Sequence, residues 1–384
     1  MTIRRLEDEE FEQAYALDCY AFQVEDPEES RARAKRSWKD ATTYGEVEGG
    51  KVLAKVELLD FDVNVFGQTM RMGGIAGVAS YPEQRRKGLI TQLMSYTLKT
   101  MREEGHVLSY LHPFAVGFYR KFGWEIAFDE ATYTLQPSEF PKPDRTLEGE
   151  FERVPFTDSR IRTVYEQSCS HGMLVRESWW WEALVEKYAK YETVLYTDSI
   201  GVPTAYMVYK VKGHRFETEE LVYRESRGLK ALLSFIGQHD SMVESVEITA
   251  AGSEHVAYVL PDPKAKAVIH PYFMARIVDV EAFFKEFPFT EGTGMSFTLQ
   301  VEDVYAEWNN RTFSVSIEDG HVSCEVSSEK PTISMSIQTL TSLMLGYRRP
   351  SFYLKQGLIN GDNEAIQRFT SLIPGDEPAL IDFF

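Results

Sequence analysis

Gly77-Val78-Ala79-Ser80-Tyr81-Pro82-Glu83-Gln84-Arg85-Arg86-Lys87-Gly88-Leu89 is the stretch of this chain whose residue types and spacing could do chemistry. It reads as the end of an apolar strand, a basic loop containing a glycine, and the start of a helix, in that order. A helix start leaves backbone N–H groups unpaired and carries the positive end of the helix dipole. Together with three consecutive cations it offers a site for a pyrophosphate. Gly88, lacking a Cβ, would let the backbone come close to such an anion. Taken alone, Arg85, Arg86 and Lys87 would read as a solvated charge run; their place between strand and helix carries the phosphate reading.

Positioning that loop requires an apolar strand before it and an amphipathic helix after it. The strand is expected over Met70–Ser80, and the helix over Gly88–Glu104 with Leu89, Leu93, Met94, Leu98 and Met101 inward at helical spacing. Upstream, Thr2–Arg5 reads as a short strand, a helix begins near Asp8, and Thr43–Glu48 and Lys51–Phe66 alternate as strands around a Gly49-Gly50 hairpin turn. Downstream, Val107–Leu111 is a strand, Ala115–Phe122 a short helix closed by Gly123, and Trp124–Leu135 a single returning strand. Pro137, Pro141 and Pro143 punctuate the end of this α/β unit.

A second α/β pattern follows, with Arg176–Tyr188, Glu192–Thr197, Thr204–Lys212, Arg227–His239 and Ser245–Thr249 as its elements. The remainder changes character: short strands at Met295–Val301, Thr312–Glu318, His321–Ser327 and Thr332–Met335 precede helices near Gln338–Tyr347 and Asn363–Leu372. With 384 residues a division into domains is the default. The expected domains are 1–140 and 141–287, both α/β, and 288–384, a small α+β domain.

Composition narrows the partners. Forty-one basic against 59 acidic residues leave a net charge of −18, a surface that repels nucleic acid over most of its area and could draw cationic ligands toward a cleft. The three cysteines, Cys19, Cys169 and Cys324, form no CxxC pair, and the eight histidines show no HExxH or His-x-His spacing, so no metal is implied. Acidic residues occupy Met1–Glu10, where a secretory signal would be apolar, and no run approaches the roughly 20 apolar residues of a membrane span; a cytoplasmic protein is expected. In Trp179-Trp180-Trp181 adjacent helix positions point in different directions, so at least one ring is expected in a core.

The basic loop and its element order resemble the GNAT acetyltransferase superfamily, whose acetyl-coenzyme A loop follows Arg/Gln-x-x-Gly-x-Gly/Ala. Arg85, Arg86, Lys87, Gly88 and Leu89 fit that pattern, and Ile90 departs from its last small residue. The resemblance extends to His112-Pro113-Phe114 and to Phe118-Tyr119-Arg120-Lys121-Phe122-Gly123-Trp124. In many such enzymes a tyrosine at that place sits beside the cofactor's sulfur, which makes Tyr119 the expected general acid. With a reference pKa of about 10 a tyrosine keeps its proton at neutral pH and can offer it to a departing thiolate.

Three domains, the loop, Tyr119 before Arg120-Lys121-Phe122-Gly123, and the ending Ile381-Asp382-Phe383-Phe384 together resemble the Enhanced intracellular survival (Eis) family across the whole chain. That resemblance implies tandem GNAT domains followed by a sterol-carrier-protein-like α+β domain, a homo-oligomer, commonly a hexamer, and N-acetylation of primary amines on aminoglycosides or other cationic molecules such as polyamines. It places the acetyl-CoA site on the backbone of Val78, Ala79 and Ser80, on Arg85, Arg86, Lys87, Gly88, Leu89, Ile90 and Thr91, and near Phe114, where some relatives carry serine. It also implies that the catalytic base is the terminal carboxylate, here that of Phe384, which is ionised at neutral pH. The second domain lacks the loop and is expected to bind no cofactor. The alternative from another class is a non-catalytic acyl-CoA or lipid-binding assembly protein whose third domain carries the function.

Overall fold

The structure, a computed structural model, describes residues 2–24, 27–144, 146–290, 294–318 and 320–384. Its contacts divide the chain into two compact units: Met1–Ala127 with Phe273–Glu377 and Phe383–Phe384, and Phe128–Tyr272 with Pro378–Asp382.

In the first unit, β1 (Thr2–Arg5), β2 (Ala41–Glu48), β3 (Lys51–Val65), β4 (Gln68–Ser80) and β5 (Leu108–Leu111) lie side by side in sequence order. The strand Met274–Ile277 and then β6 (Glu125–Ile126) complete this edge of the sheet. The ladders from β1 to β4 are antiparallel, whereas β4 and β5 run parallel. Four helices accompany these strands: α1 (Phe11–Ala21), α2 (Pro27–Ser37), α3 (Leu89–Glu103) and α4 (Val116–Arg120). The apolar stripe read for α3 is its buried face: Leu89, Leu93, Met94, Leu98 and Met101 pack with Val56, Leu58, Ile75, Trp124 and Met274 in one core. On the other sheet face, Ala14 and Leu17 of α1 pack with Leu6, Val52 and Ala79.

The same unit holds, among the described residues, the five-stranded sheet of the C-terminal region, ordered His321–Val326, Thr312–Glu318, Met295–Glu302, Ile333–Ser336 and Asn360–Gly361. Buried polar groups tie it to the first sheet. Arg276 donates to Asp303 Oδ2 at 2.6 Å and to the carbonyl of Phe122, and Ile277 N donates to Thr341 Oγ1 at 3.0 Å.

The second unit is built on a seven-stranded sheet among the described residues, ordered Lys266–Pro271, Asp129–Leu135, Ser245–Ala251, Arg215–Tyr223, Pro203–Lys212, Glu192–Asp198 and Gly149–Arg153. Trp124–Leu135 is not one strand: β6 ends at Ile126 and pairs with Met274 and Ala275, while Asp129–Leu135 pairs with Ser245–Ala251 and Lys266–Pro271. The intervening Ala127 and Phe128 are fully buried, so no polar turn marks the break.

A buried ionic network organises this second unit. Arg176 grips Glu220 through both terminal nitrogens, at 2.9 and 3.0 Å, and gives its Nε to Asp382 Oδ1 at 2.9 Å. Trp180 Nε1 donates to the same oxygen at 2.7 Å, and Tyr188 and Tyr206 donate to Glu220. Burial would raise the Glu220 carboxyl, but Arg176 and the two tyrosines hold it below the usual glutamate range. Trp180 and Trp181 are both buried, and the Arg176 guanidinium lies 4.9 Å over the Trp181 ring, so these two of the three tryptophans are packing and network residues.

Removing the cation leaves two carboxylates buried without a countercharge, a loss of about 3–5 kcal/mol for such a pair. Arg176→Met should therefore lower the urea midpoint reported by tryptophan fluorescence, and an unchanged transition would mean the network contributes no stability. Because Glu220 is held below its ordinary value, its contribution is complete above the normal glutamate range and is lost as pH falls through the depressed value.

Candidate active site

The parallel ladder between β4 and β5 spans Met72–Ile75 against Leu108–Leu111, and β4 then runs on to Ser80 without a described partner in β5. On its other side β4 makes a bulge: Lys55 pairs with Ala79 and Glu57 with Ala76, leaving Val56 opposite both Gly77 and Val78. Gly77 takes φ +53°, which a side chain would resist. Val78, Ala79 and Ser80 thus lie where β4 is free of β5, and their backbone groups on that side can serve a ligand.

The loop follows directly. Pro82–Gln84 form a short turn, Arg86 adopts φ +63° and Gly88 φ +83° before α3 begins at Leu89. No side chain caps α3, so the first-turn N–H groups remain available. Left-handed residues interspersed in such a loop aim successive N–H groups into a concavity that suits anions. Arg85, Arg86, Lys87 and Gly88 are exposed, and Lys87 Nζ donates to Gln84 Oε1 at 2.8 Å.

A cavity of about 720 Å³ opens against these groups, a size that accommodates a large nucleotide-bearing ligand. Val78, Ala79, Ser80, Arg85, Arg86, Gly88, Leu89, Ile90, Thr91 and Phe114 all line it, whereas Lys87 does not. Five lining residues escaped the sequence reading: Ala21 and Phe22 at the end of α1, Gln84, and Phe118 and Lys121 around α4. Phe22 and Phe114 are 56% and 70% exposed, so two phenyl rings face a cavity rather than a core and offer apolar surface to a ligand. Cations, unpaired N–H groups and exposed rings in one cavity fit the phosphates and the apolar arm of acetyl-CoA.

Tyr119 is buried in α4 and is not a lining residue; its ring stands 5.4 Å from that of Phe114 and 5.1 Å from that of Phe118, both of which are. No described residue hydrogen-bonds its hydroxyl, and burial pushes the phenol well above the usual tyrosine range. It therefore stays proton-bearing at any physiological pH. Phe384 packs in the same unit: its ring lies 4.9 Å from both Phe61 and Phe273 and covers Gly74, where a Cβ would come within 2.8 Å of it. Gly74 pairs with Tyr110, one step before the β4–β5 ladder ends, so the aromatic end of the tail rests on β4 just ahead of the splay. Among the described residues no group of three or more His, Cys, Asp or Glu could hold a metal, and no helix is long and apolar enough to cross a membrane.

The chain is similar to known proteins along most of its length. Acetyltransferase (GNAT) domain families match residues 2–127 and 172–277, and the sterol carrier protein domain family matches residues 280–381. The N-acetyltransferase Eis of Mycobacterium tuberculosis is 24% identical over 356 residues, 87% of this chain and 86% of that protein. A conserved Enterococcus faecalis protein of unknown function, a probable N-acyltransferase, is 31% identical with a TM-score of 0.95 over 100% of this chain and 99% of its own. Eis1 of Mycobacterium abscessus, 20% identical, shares the fold with a TM-score of 0.84 over the full length of both chains. Two GNAT domains and a sterol-carrier-type domain, together with a curated N-acetyltransferase relative over most of the chain, define an acetyl-CoA-dependent N-acetyltransferase rather than a non-catalytic assembly protein. Within that class the chain belongs to the Eis family.

The burial of Tyr119 has a spectroscopic signature. An ultraviolet phenolate titration of the parent minus Tyr119→Phe should show no difference below about pH 10, the ordinary tyrosine value. A difference appearing below that pH would place the hydroxyl in water. With its folded pKa raised, Tyr119 contributes stability that is complete below the unfolded value and is lost only as pH rises through the folded one.

Proposed function

We propose that this enzyme acetylates primary amines of cationic small molecules, aminoglycosides or polyamines, in the cytoplasm and as a homo-oligomer, a hexamer by its kinship. The observation that carries the reading is the cavity in which Val78–Ser80, the Arg85–Thr91 loop and Phe114 meet beside Tyr119. The net charge of −18 supports a cationic acceptor, because a negative field concentrates such molecules near the surface.

In the proposed reaction the donor's pyrophosphate lies on Arg85, Arg86 and the N–H groups of Gly88, Leu89, Ile90 and Thr91, with Lys87, outside the cavity lining, adding only its charge. The α-carboxylate of Phe384 removes a proton from the acceptor's ammonium, directly or through water. The free amine nitrogen then bonds to the thioester carbonyl carbon, and the carbonyl oxygen gains negative charge, which backbone N–H groups at Val78–Ser80 stabilise. As the carbon–sulfur bond breaks, the thiolate takes the Tyr119 proton, and the second proton of the acetylated nitrogen passes through water to restore the tyrosine hydroxyl. The products are an N-acetylated amine and the free thiol.

A thiol-release assay across polyamines and aminoglycosides tests the acceptor class; absence of turnover with every cationic amine would overturn it. Tyr119→Phe should keep acetyl-CoA affinity within a few-fold and lower kcat by about 100-fold to 10,000-fold, the usual worth of general acid catalysis. If kcat stays near the parent value, Tyr119 only packs. Appending one or two glycines after Phe384 keeps both phenylalanines, turns the carboxylate into an amide and moves the charge by about 3.3–3.6 Å per residue. Turnover should collapse while acetyl-CoA affinity and thermal stability hold, since positioned catalysis tolerates errors of about 1 Å poorly. Parental kinetics in the extended chain would remove Phe384 from the chemistry.

A further inference from the structure

Beneath the β4 bulge lies an ionic cluster with no part in the reaction sequence above. Lys55 is completely buried on β3, and its Nζ meets Asp18 Oδ2 of α1 at 2.7 Å and the carboxylate of Glu57, two residues along its own strand. Burial pulls the Lys55 ammonium down, but the Glu57 and Asp18 carboxylates outweigh it and hold it above the usual lysine range. Desolvation raises Asp18 to about 7 despite Lys55, and its Oδ1 is buried without a hydrogen-bond partner. Thr43, which pairs with Glu57 across the β2–β3 ladder, also buries an unpartnered hydroxyl.

A Cβ built on Gly77 would lie 2.5 Å from the Glu57 carboxyl carbon and 2.7 and 2.9 Å from its two oxygens, so that carboxylate fills the side-chain space of residue 77. Lys55 and Glu57 are the two β3 residues that bracket the bulge, paired with Ala79 and Ala76 respectively. An ion pair between them fixes the β3 side of the defect, and Asp18 fixes the same ammonium from α1, whose end supplies Ala21 and Phe22 to the cavity.

We propose that Lys55 is a positioning residue for acetyl transfer: with Asp18 it holds the Glu57 carboxylate against Gly77, and this clamp sets the bend that presents Val78–Ser80 to the acetyl donor. The proposal rests on the donor site proposed above. It assigns Lys55, Asp18 and Glu57 no contact with either substrate.

The test is acetyl-CoA affinity by calorimetry together with steady-state kinetics. Lys55→Met leaves two carboxylates unpaired and can fail to fold, so the deciding variant is D18N/K55M/E57Q, which removes all three charges at similar volume. Its acetyl-CoA Kd should rise roughly tenfold or more and kcat should fall about 100-fold, as expected for a small misplacement of backbone groups, with the KM for the amine within twofold of the parent. A cluster that serves stability alone would change the thermal midpoint and leave Kd and kcat at parental values, and that result overturns the clamp. Should the triple variant not fold, E57Q decides: a Kd raised about threefold or more supports the clamp, and parental affinity overturns it. R86E separates the two readings. Weakened binding in R86E beside parental binding in the triple variant overturns the clamp alone, whereas parental binding in both overturns the donor site and the clamp with it.

Discussion

A backbone that presents N–H groups to a ligand cannot also commit them to a neighbouring strand, and that constraint shapes the first unit. The parallel β4–β5 ladder stops at Ile75 and Leu111, and within two residues β4 bends at Gly77. Three consequences follow from that bend. The strand stays tied to β3 through Ala79 and Ser80, so the freed segment remains ordered. The chain leaves it through a proline turn into a loop with two left-handed residues, and α3 then starts without a side-chain cap. A side-chain cap or a continued ladder would satisfy the very groups that face the cavity.

Buried charge recurs as a means of fixing position in both units. Arg276 with Asp303 joins the C-terminal sheet to the first sheet, Arg176 with Glu220 and Asp382 fixes the 378–382 segment within the second unit, and Lys55 with Asp18 and Glu57 sits under the bulge. Replacing such clusters by well-packed apolar groups would often cost no stability, whereas an ion pair tolerates only one geometry. Arg276 also shows why domain limits drawn along the sequence differ from compact units: its hydrogen bonds run to Phe122 and Asp303, so residues on either side of the second unit's sequence fold as one body.

The local signals were legible. The 3.6-residue stripe on α3, the strand Thr312–Glu318 and the helix from Asn363 depend on neighbours a few residues away, and the structure carries them within one or two residues of the sequence reading. The basic loop was legible for the same reason, since strand, loop and helix start are contiguous. The break between Ile126 and Asp129 was not: Glu125–Leu135 is uniformly strand-like, and its pairing depends on residues 266–275, more than a hundred positions away. Phe22 at the end of α1 and Phe118 within α4 were missed because an aromatic on a helix looks like core until the cavity beside it is known. Lys55 and Glu57, alternating with Ala54, Val56 and Leu58, look like the solvated face of a half-buried strand, and only the packing of α1 buries the lysine.

The two substrate charges proposed for this enzyme are opposite in sign, and the chain would accommodate both by separating length scales. The phosphates of a donor would meet Arg85, Arg86 and the α3 N-terminus at hydrogen-bonding range, where local geometry outweighs the average field. A net charge of −18 acts instead through the diffuse potential, which reaches only about 8–10 Å at physiological ionic strength yet covers the whole surface. A cationic amine gains from that field during its approach, and an anionic donor is retained by a few short contacts once it has arrived. On the proposed reading, the concentration of exposed cations in one loop of an otherwise acidic protein would let an anionic donor bind without cancelling the field that draws a cationic acceptor.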